Sequence, residues 1–561
     1  MIRKLFLFTI WGLAALMPSH AQVAPGKYVA WLTDKNNNPY TLNNPGAFLS
    51  QRSLERRQRY GIALDWYDLP VTPSYISQIK SVGVNVLHAS KWMNFVLFET
   101  TDTLLVSQVA QLPFVAKIEK VKRKVLGKKL ISGMQSLDNM PFSDRVSRPE
   151  SSYLKNSAIF DYGGGTNQVQ MIKVNVLHEQ GYTGKGMLIA LLDAGFASAD
   201  QLPALDSLFE SGRFLGTRDF VLPGNNVFDP GINGHGTMVL STMAALQPGT
   251  LVGTAPHASY FLIRTEDAET EYVIEEYNWV SGAELADSIG ADVINSSLGY
   301  TEFDNPLQNH TYQDMDGNTT IATRGADRAA AKGILVVNSA GNSGVSPWFY
   351  IGSPADGDSV FTIGAVDALG NYASFSSKGP TYDKRIKPNI STQGQGSAFI
   401  APWGGLSYGN GTSFSSPIAA GSMACLWQAH PDLNNMKLME VVMQTASQAN
   451  SPDSLLGYGI PDFAAAHASL STGRNDLASK SFFTIYPNPF SNELLIQSNN
   501  PVQNPISIVL YDIKGTLVQS TTWQPQHSLY LLKGLEHLDK GFYLLQIQSD
   551  NQTYVYRVIK K

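Results

Sequence analysis

Cysteine is almost absent from this 561-residue sequence, in which Cys425 is the only one. A single thiol excludes an intramolecular disulfide, so an exported chain of this kind must be stabilised by packing or by bound ions. Charged residues are also scarce: they make up 16% of the chain, and the formal net charge is -5. This composition excludes the strongly basic surface that nucleic-acid binding requires, and no nucleic-acid partner is expected.

Long hydrophobic runs are missing except at the N-terminus, where Leu5–Met17 is apolar. This run is shorter than the roughly 20 residues that span a bilayer. Arg3 and Lys4 precede it, and Ser19–Ala21 offers small residues at the positions that a signal peptidase reads. The pattern predicts a cleaved signal peptide over residues 1–21, with a membrane anchor as the alternative.

The rest of the chain is long enough for about two to four domains. Residues 22–121 mix strands and helices and predict a small α+β domain. Its predicted elements are Tyr28–Leu32, Pro73–Val82, Asn85–Thr100, Thr103–Leu112 and Phe114–Val121. Residues 122–160 form a predicted linker, which is either simply solvated or a protease-accessible junction. Its first part holds a basic cluster of Lys122, Arg123, Lys124, Lys128 and Lys129.

Residues 161–471 alternate short apolar runs with amphipathic stretches. This alternation predicts a parallel α/β sheet flanked by helices, with ligands bound beyond the carboxyl ends of the strands. The predicted strands are Met187–Leu192, Tyr260–Ile263, Val293–Ile294, Ile334–Val337 and Val360–Val366. The predicted helices are Thr237–Leu246, Tyr272–Ile289, Ile321–Lys332, Ser415–His430 and Met436–Ala446. After a polar linker at 472–480, residues 481–561 are strand-rich and predict a small β-sandwich.

Four short segments of the α/β region carry the side chains needed for acyl transfer through a serine ester. Asp193 closes a predicted strand, where its carboxylate can accept the Nδ1 proton of a histidine. His235 lies between two glycines at a helix start and can accept and return a proton near neutral pH. Taken alone, Asp193 also fits a turn or cap residue, and a histidine is more often structural.

Ser413 and Asn342 complete this set. Ser413 stands at the start of a predicted helix, where its own N–H and the positive helix end can stabilise an oxyanion. Asn342 follows a predicted strand, and its side-chain amide can supply a second donor. Their ordinary alternatives are an N-cap serine and a turn asparagine, but four such residues in one α/β region favour a common site.

With these four segments, residues 161–471 resemble the subtilisin-like serine proteases, or subtilases. The resemblance implies that Asp193, His235 and Ser413 are the catalytic triad and that Asn342 belongs to the oxyanion hole. It also implies that the substrate pairs as an extended strand with Ser297, Leu298 and Gly299. Two departures from the family pattern, Ala194 after the aspartate and Phe414–Ser415 after the serine, remove no reacting atom, although Ala194 weakens the expected support of Asp193.

Beyond this region the resemblance extends to both ends of the chain. The N-terminal α+β domain stands where subtilases carry a propeptide that assists folding and blocks the cleft; a retained accessory domain is the alternative. Tyr486–Phe490 and Gly541–Tyr543 resemble the C-terminal sorting domain of the Bacteroidetes type IX secretion pathway, whereas a proline turn before a strand is the structural alternative.

Three other interpretations compete with this one. Gly405–Gly409 matches the G-x-S-x-G motif of α/β-hydrolases around Ser407, with Asp432 and His467 following, but glycines and Pro402 surround it. Asp314–Asn318 resembles part of a calcium loop, although Gly325 stands where an EF-hand needs a glutamate. A non-catalytic binding protein on the same scaffold is the third alternative.

The sequence therefore predicts a secreted serine endopeptidase, made as an inactive precursor. Its expected partners are protein or peptide substrates, its own propeptide as inhibitor and the type IX secretion machinery. The chemistry requires no cofactor, and the resemblance allows structural calcium. Cleavage specificity is left open.

Overall fold

The computed structural model describes residues 26–122, 159–477, 483–498, 504–512, 515–524, 529–549 and 552–561. They form two compact units that divide along the chain between His467 and Ala468. Each unit is described by itself. The predicted signal peptide and most of the predicted linker at 122–160 lie outside the described residues.

The first part of the larger unit is a four-stranded antiparallel sheet with helices, in the strand order β2-β3-β1-β4. Its elements are β1 (Gly26–Leu32), α1 (Gln51–Tyr60), α2 (Pro73–Ser81), β2 (Asn85–Ser90), β3 (Phe95–Thr100), α3 (Thr103–Ala110) and β4 (Val115–Lys122). Alternation along β1 and β3 gives the sheet two apolar faces. One face packs on α2 and α3, and the other packs on Tyr272, Ile274 and Tyr277 of the following α/β region.

The α/β region is built on a seven-stranded parallel sheet with the order β13-β12-β11-β10-β5-β9-β6. Its strands are β5 (Leu188–Asp193), β6 (Phe214–Asp219), β9 (Ser259–Arg264), β10 (Val293–Ser296), β11 (Leu335–Ser339), β12 (Val360–Val366) and β13 (Ile390–Gln393). Two short pairs lie outside this sheet, β7 (Leu246–Gln247) with β8 (Leu251–Val252) and β14 (Ser397–Ile400) with β15 (Leu406–Gly409). The central strands are buried on both faces, as their apolar sequences predict.

Helices cover the sheet and place several of their first residues at the carboxyl ends of the strands. They are α4 (Thr166–Gln170), α5 (Val174–Glu179), α6 (Asp206–Glu210), α7 (His235–Ala244), α8 (Ile274–Ile289), α9 (Ile321–Ala331), α10 (Thr412–Ala429), α11 (Asn435–Gln444) and α12 (Phe463–Leu477). The predicted fold class, a parallel α/β sheet flanked by helices, is confirmed. The sequence pattern missed β6, β13, the short β7–β8 and β14–β15 pairs, and the helices α1, α4, α5, α6 and α12.

The smaller unit contains two antiparallel sheets, with orders β16-β17-β20 and β19-β18-β21-β22. Its strands are β16 (Phe483–Tyr486), β17 (Leu494–Ser498), β18 (Ile506–Asp512), β19 (Leu517–Trp523), β20 (Leu529–Leu532), β21 (Gly541–Ser549) and β22 (Gln552–Lys560). Phe483 and Leu494 of one sheet share an apolar core with Ile508 and Leu545 of the other. The unit is therefore the small β-sandwich that the sequence predicts.

Candidate active site

Asp193 and His235 are in direct contact at the carboxyl edge of the parallel sheet. Asp193 is the last residue of β5, and its Oδ1 lies 2.7 Å from His235 Nδ1. The same oxygen accepts the backbone N–H of Ala194 at 2.7 Å. The other carboxylate oxygen, Oδ2, is buried and has no hydrogen-bond donor among the described residues. An aspartate in this position fixes the histidine tautomer with Nδ1 protonated, because the carboxylate can only accept.

The charge state of His235 follows from this contact. Burial lowers the pKa of the buried imidazole, but the charge of Asp193 and its hydrogen bond outweigh burial, and the pKa is raised above its ordinary value. His235 begins α7, and a Cβ at the preceding Gly234 would overlap the ring of Pro402. Glycine is therefore required there by the close approach of a second segment.

Ser413 lies in the first turn of α10 and is partly exposed. Ser297 Oγ donates to the Ser413 carbonyl at 3.0 Å, and Ser416 Oγ donates to Asn295 Oδ1 at 2.9 Å, so α10 is tied to β10 and its extension. The next residue, Phe414, has its ring 6.4 Å from the His235 ring. These contacts bring the predicted nucleophile and the Asp193–His235 pair to one end of the sheet.

Asn342 faces the start of α10 across Gly411. Its Oδ1 accepts the N–H of Thr412 at 2.9 Å and the Thr412 hydroxyl at 3.0 Å. This fixes the amide so that Nδ2 points away from Thr412. Nδ2 lies 3.7 Å and Ser413 Cβ 3.8 Å from the point that a Cβ of Gly411 would occupy. The Ser413 nitrogen lies 3.6 Å from the same point, so the Ser413 N–H and the Asn342 amide are placed as a donor pair that could meet an oxyanion.

The predicted substrate strand continues directly from β10. Ser297 and Leu298 are buried, whereas Gly299 is exposed. Asn338 Nδ2 donates to the Leu298 carbonyl at 3.0 Å and so fixes this backbone. The exposed backbone at Gly299 is the kind of edge that an extended peptide can join.

Two supporting residues were missed by sequence reasoning. Arg264 Nε donates to the Ala194 carbonyl at 3.0 Å, and its Nη1 forms a buried ion pair with Asp219 at 3.1 Å. Arg264 could have been found from the strand register, because it is paired with Asp193 where β5 and β9 end side by side. Thr412 orients Asn342, and the only sequence signal for this role is its position next to Ser413.

A carboxylate cluster lies just beyond β9. One oxygen from each of Glu266, Glu271 and Glu275 lies within 4.8 Å of the others, and of the described residues only these three have such metal-binding spacing. Burial raises the pKa of Glu266 to about 7, while burial and the charge of Glu266 raise that of Glu271. Tyr300 Oη donates to Glu266 at 2.6 Å. These shifts arise from burial and from neighbouring carboxylates, and no cation is assigned to the cluster.

The calcium-like loop has local partners instead of an open set of oxygen ligands. Asp316 Oδ1 accepts the backbone N–H groups of Asn318 at 2.8 Å and Thr319 at 2.9 Å, and Asp314 Oδ2 accepts that of Thr311 at 2.7 Å. These are the contacts of a turn and a helix cap. Asp314–Asn318 therefore has the contacts of a polar turn.

The competing serine, Ser407, lies within β15 of the two-stranded hairpin, paired with Phe399. A nucleophile elbow needs a strand entering and a helix leaving the serine. Of the two residues that would complete that triad, His467 has His430 Nε2 at 2.9 Å from its Nδ1. The geometry does not fit an α/β-hydrolase.

The N-terminal α+β domain is held against α8 by buried ionic contacts. Arg56 Nη2 lies 2.6 Å from Asp287 Oδ1, and Arg57 Nη2 lies 2.9 Å from Asp287 Oδ2 and 2.7 Å from Asp68 Oδ1. Burial raises the pKa of Asp287, but Lys91, Arg57 and Arg56 outweigh it and hold the pKa well below its usual range. Asp287 is therefore ionised and paired in this contact.

A second acidic residue of α8, Glu284, binds backbone N–H groups of the N-terminal domain. Glu284 accepts the N–H groups of Lys91 at 2.8 Å and Trp92 at 2.9 Å, and also the hydroxyl of Ser90. These contacts satisfy both carboxylate oxygens, so the buried acid is fully paired and fixes the position of residues 90–92 on α8.

Comparisons with known proteins agree with this geometry. Residues 184–459 match the model of the subtilase family. The chain is 32% identical over 286 residues to subtilisin from Bacillus pumilus, which covers 50% of this chain and 92% of that protein. It is 30% identical over 301 residues to subtilisin BL from Lederbergia lenta, covering 53% and 97%. The chain therefore belongs to the subtilase family, a family of serine-type endopeptidases.

A third relative is longer than the region it shares with this chain. Identity to subtilisin E from Bacillus subtilis (strain 168) is 32% over 282 residues, which is 50% of this chain and 65% of that protein, slightly less than two thirds.

The terminal regions match models of their own. Residues 27–135 match the Bacteroidota propeptide domain of peptidase S8, and residues 484–561 match the secretion system C-terminal sorting domain. The predicted propeptide and sorting domains are thus confirmed, and the sorting domain indicates a secreted or cell-surface protein. Among the described residues, no helix is both long and apolar enough to cross a membrane.

Proposed function

We propose that this chain is a secreted serine endopeptidase whose triad is Asp193, His235 and Ser413. The observation that carries the proposal is the contact of Asp193 Oδ1 with His235 Nδ1 at 2.7 Å, together with the 6.4 Å between the His235 ring and the ring of Phe414, the neighbour of the partly exposed Ser413. Membership of the subtilase family supports the same roles.

In this mechanism Ser413 Oγ attacks the scissile carbonyl while His235 accepts its proton. Asp193 keeps the proton on Nδ1 and stabilises the imidazolium that forms. The Ser413 N–H and the Asn342 amide donate to the oxyanion of the tetrahedral intermediate. His235 then protonates the leaving amine, and water, activated by His235, hydrolyses the acyl-enzyme. The substrate backbone lies along Ser297–Gly299.

Apart from the substrate and water, every reacting group in this mechanism belongs to the protein, so the chemistry needs no cofactor. A calcium ion, if bound, has a structural role. The retained triad counts against a non-catalytic binding protein, which is the alternative function.

The N-terminal domain acts in this proposal as an inhibitor that is removed after export. Its apolar contacts with Tyr272, Ile274 and Tyr277 support binding in the precursor, and its buried ion pairs with Asp287 of α8 support one defined orientation. The proposed organisation is a signal peptide at 1–21, a propeptide at 22–121, a linker at 122–160, a catalytic domain at 161–471, a short linker at 472–480 and a sorting domain at 481–561. Export then uses the type IX secretion machinery, and the substrates are proteins or peptides.

The test is hydrolysis of an internally quenched peptide mixture by the processed protein. Ser413→Ala is expected to abolish hydrolysis and to leave peptide binding largely intact. Ser407→Ala is the matched control, because it removes the other serine with a hydrolase motif. Normal turnover by Ser413→Ala, or loss of turnover only in Ser407→Ala, would overturn the proposal.

A further inference from the structure

The β14–β15 hairpin presents an exposed tryptophan immediately before the serine helix. Trp403 lies in its turn and is 75% exposed. The turn is tight: Gly404 N–H donates to the Ala401 carbonyl at 2.8 Å, and Ala401 N–H donates to the Gly405 carbonyl at 3.0 Å. Gly404 and Gly405 have φ values of +91° and +87°, which favour glycine. The indole is therefore displayed on a well-defined turn.

This turn is fixed beside His235. Pro402, the neighbour of Trp403, packs so closely on Gly234 that a Cβ there would overlap its ring. Deeper in the hairpin, the Phe399 ring stacks on Phe414 at 4.7 Å between centroids. The hairpin thus contacts both the residue before the histidine and the residue after the serine.

The proposed reaction indicates which half of the substrate lies near the hairpin turn. His235 must return its proton to the leaving amine, so the half of the substrate that leaves first lies on the histidine side of Ser413. The other half lies along Ser297–Gly299, since Ser297 Oγ binds the Ser413 carbonyl from that side at 3.0 Å. A polypeptide that passes Ser413 and then His235 reaches the hairpin turn.

We propose that Trp403 is a specificity-determining residue that binds an apolar or aromatic side chain on the leaving half of the substrate, within three residues after the scissile bond. The inference rests on the proposed function. A rigidly placed indole offers a large apolar face at small entropic cost, and exposed tryptophans of this kind dominate binding where a partner covers them. The occupant is the polypeptide substrate itself, because the hairpin contacts both Gly234, the residue before His235, and Phe414, the residue after Ser413.

The experiment compares two internally quenched peptides that differ only in the second residue after the scissile bond, Phe in one and Gly in the other; a second pair places the same change at the third residue. Processed wild-type protein is expected to prefer Phe in at least one pair by about tenfold in kcat/KM, which corresponds to one good aromatic contact. Trp403→Ala is expected to bring this ratio close to one, mainly through KM, and Trp403→Phe to retain most of it.

Tyr382→Ala is the matched control, because Tyr382 is also an exposed aromatic of the same region, at 43%, but packs against Tyr312 instead of the hairpin. It is expected to keep the wild-type ratio. A wild-type ratio near one in both pairs, or an unchanged ratio in Trp403→Ala, overturns the inference. Labelling of the same samples by a fluorophosphonate separates the two levels: labelled protein without the preference contradicts only the role of Trp403, whereas unlabelled wild type contradicts the proposed function as well.

Discussion

Asp193 uses one carboxylate oxygen for two contacts and leaves the other without a donor. Oδ1 lies 2.7 Å from both His235 Nδ1 and the Ala194 nitrogen, while Oδ2 is buried and has no donor among the described residues. A buried oxygen without a donor is costly. The methyl side chain of Ala194 cannot supply one.

Ala194→Ser is therefore expected to stabilise the protein. A hydroxyl at this position can donate to Asp193 Oδ2, and a buried hydrogen bond to a charged group contributes about 1.5–3 kcal/mol. Chemical unfolding of the full chain in a Ser413→Ala background, which prevents self-digestion, measures the change. Ala197→Ser is the control, because it adds a hydroxyl at another buried alanine of the same segment. Equal effects of the two substitutions would contradict this explanation.

The raised pKa of His235 predicts the pH dependence of catalysis. The base must be neutral, so kcat/KM is expected to fall as the pH drops through the His235 pKa, above the ordinary value of about 6.5. Asp193→Asn removes the charge that raises the pKa, so the fall moves to lower pH. The plateau should also drop by about 10⁴, as for a comparable triad. A pH profile that does not move would contradict the assigned contact.

The Arg57–Asp287 pair predicts how firmly the N-terminal domain is held. Arg57→Ala removes one of three cations beside the buried Asp287 carboxylate. Leaving a buried charge without any partner costs about 3–5 kcal/mol, and a loss at or below the lower end of this range is expected because Arg56 and Lys91 remain. Hydrogen exchange of the 26–122 region in the Ser413→Ala chain is expected to accelerate strongly. Arg59→Ala is the matched control, because Arg59 lies on the same helix but is exposed. Similar exchange in both variants would show that the ion pair does not hold the domain.

The buried His88 leads us to expect that acid weakens the contact between the N-terminal domain and α8. Its ring nitrogens lie 3.0 Å from Asn278 Oδ1 and 3.0 Å from Ser281 Oγ of α8. Burial lowers its pKa to about 4, opposed by the bond to Asn278 and aided by Lys27 and Arg218. Neutral His88 makes its full contribution to the free energy of unfolding above about pH 6.5. As the pH falls towards 4, the unfolded chain takes up a proton first, and the free energy of unfolding decreases by up to about 3 kcal/mol.

The measurement for His88 is urea unfolding of the Ser413→Ala chain between pH 7 and pH 4, with and without His88→Gln. Glutamine can donate and accept but does not titrate. The loss on acidification should be smaller in His88→Gln. The same loss in both proteins would assign the pH dependence to other groups.

Local sequence patterns predict most of the strands and helices that position the candidate catalytic residues. Val360–Val366 was predicted with its observed bounds, and the predicted helix Thr237–Leu246 differs by two residues at each end from α7. Continuous apolar strands and glycine-bracketed polar residues are strong local signals. The order of Asp193, His235, Asn342 and Ser413 on such elements was enough to propose one site.

Features that depend on distant partners were not predicted. Helix α1 is rich in arginine, and its buried face is stabilised by Asp287, a residue 230 positions from Arg57. The hairpin turn lies beside His235 only because Pro402 packs on Gly234. Neither contact has a local sequence signal, because charge pairing and close approach arise only from the tertiary fold.

The central claim, that Ser413 is a nucleophile activated by His235, is tested most directly by labelling the processed protein with a fluorophosphonate and mapping the modified residue by mass spectrometry. The expected result is one covalent adduct on Ser413, kept in Ser407→Ala and absent from Ser413→Ala. An unlabelled wild-type protein that has lost its N-terminal domain, or an adduct on another serine, would contradict the claim.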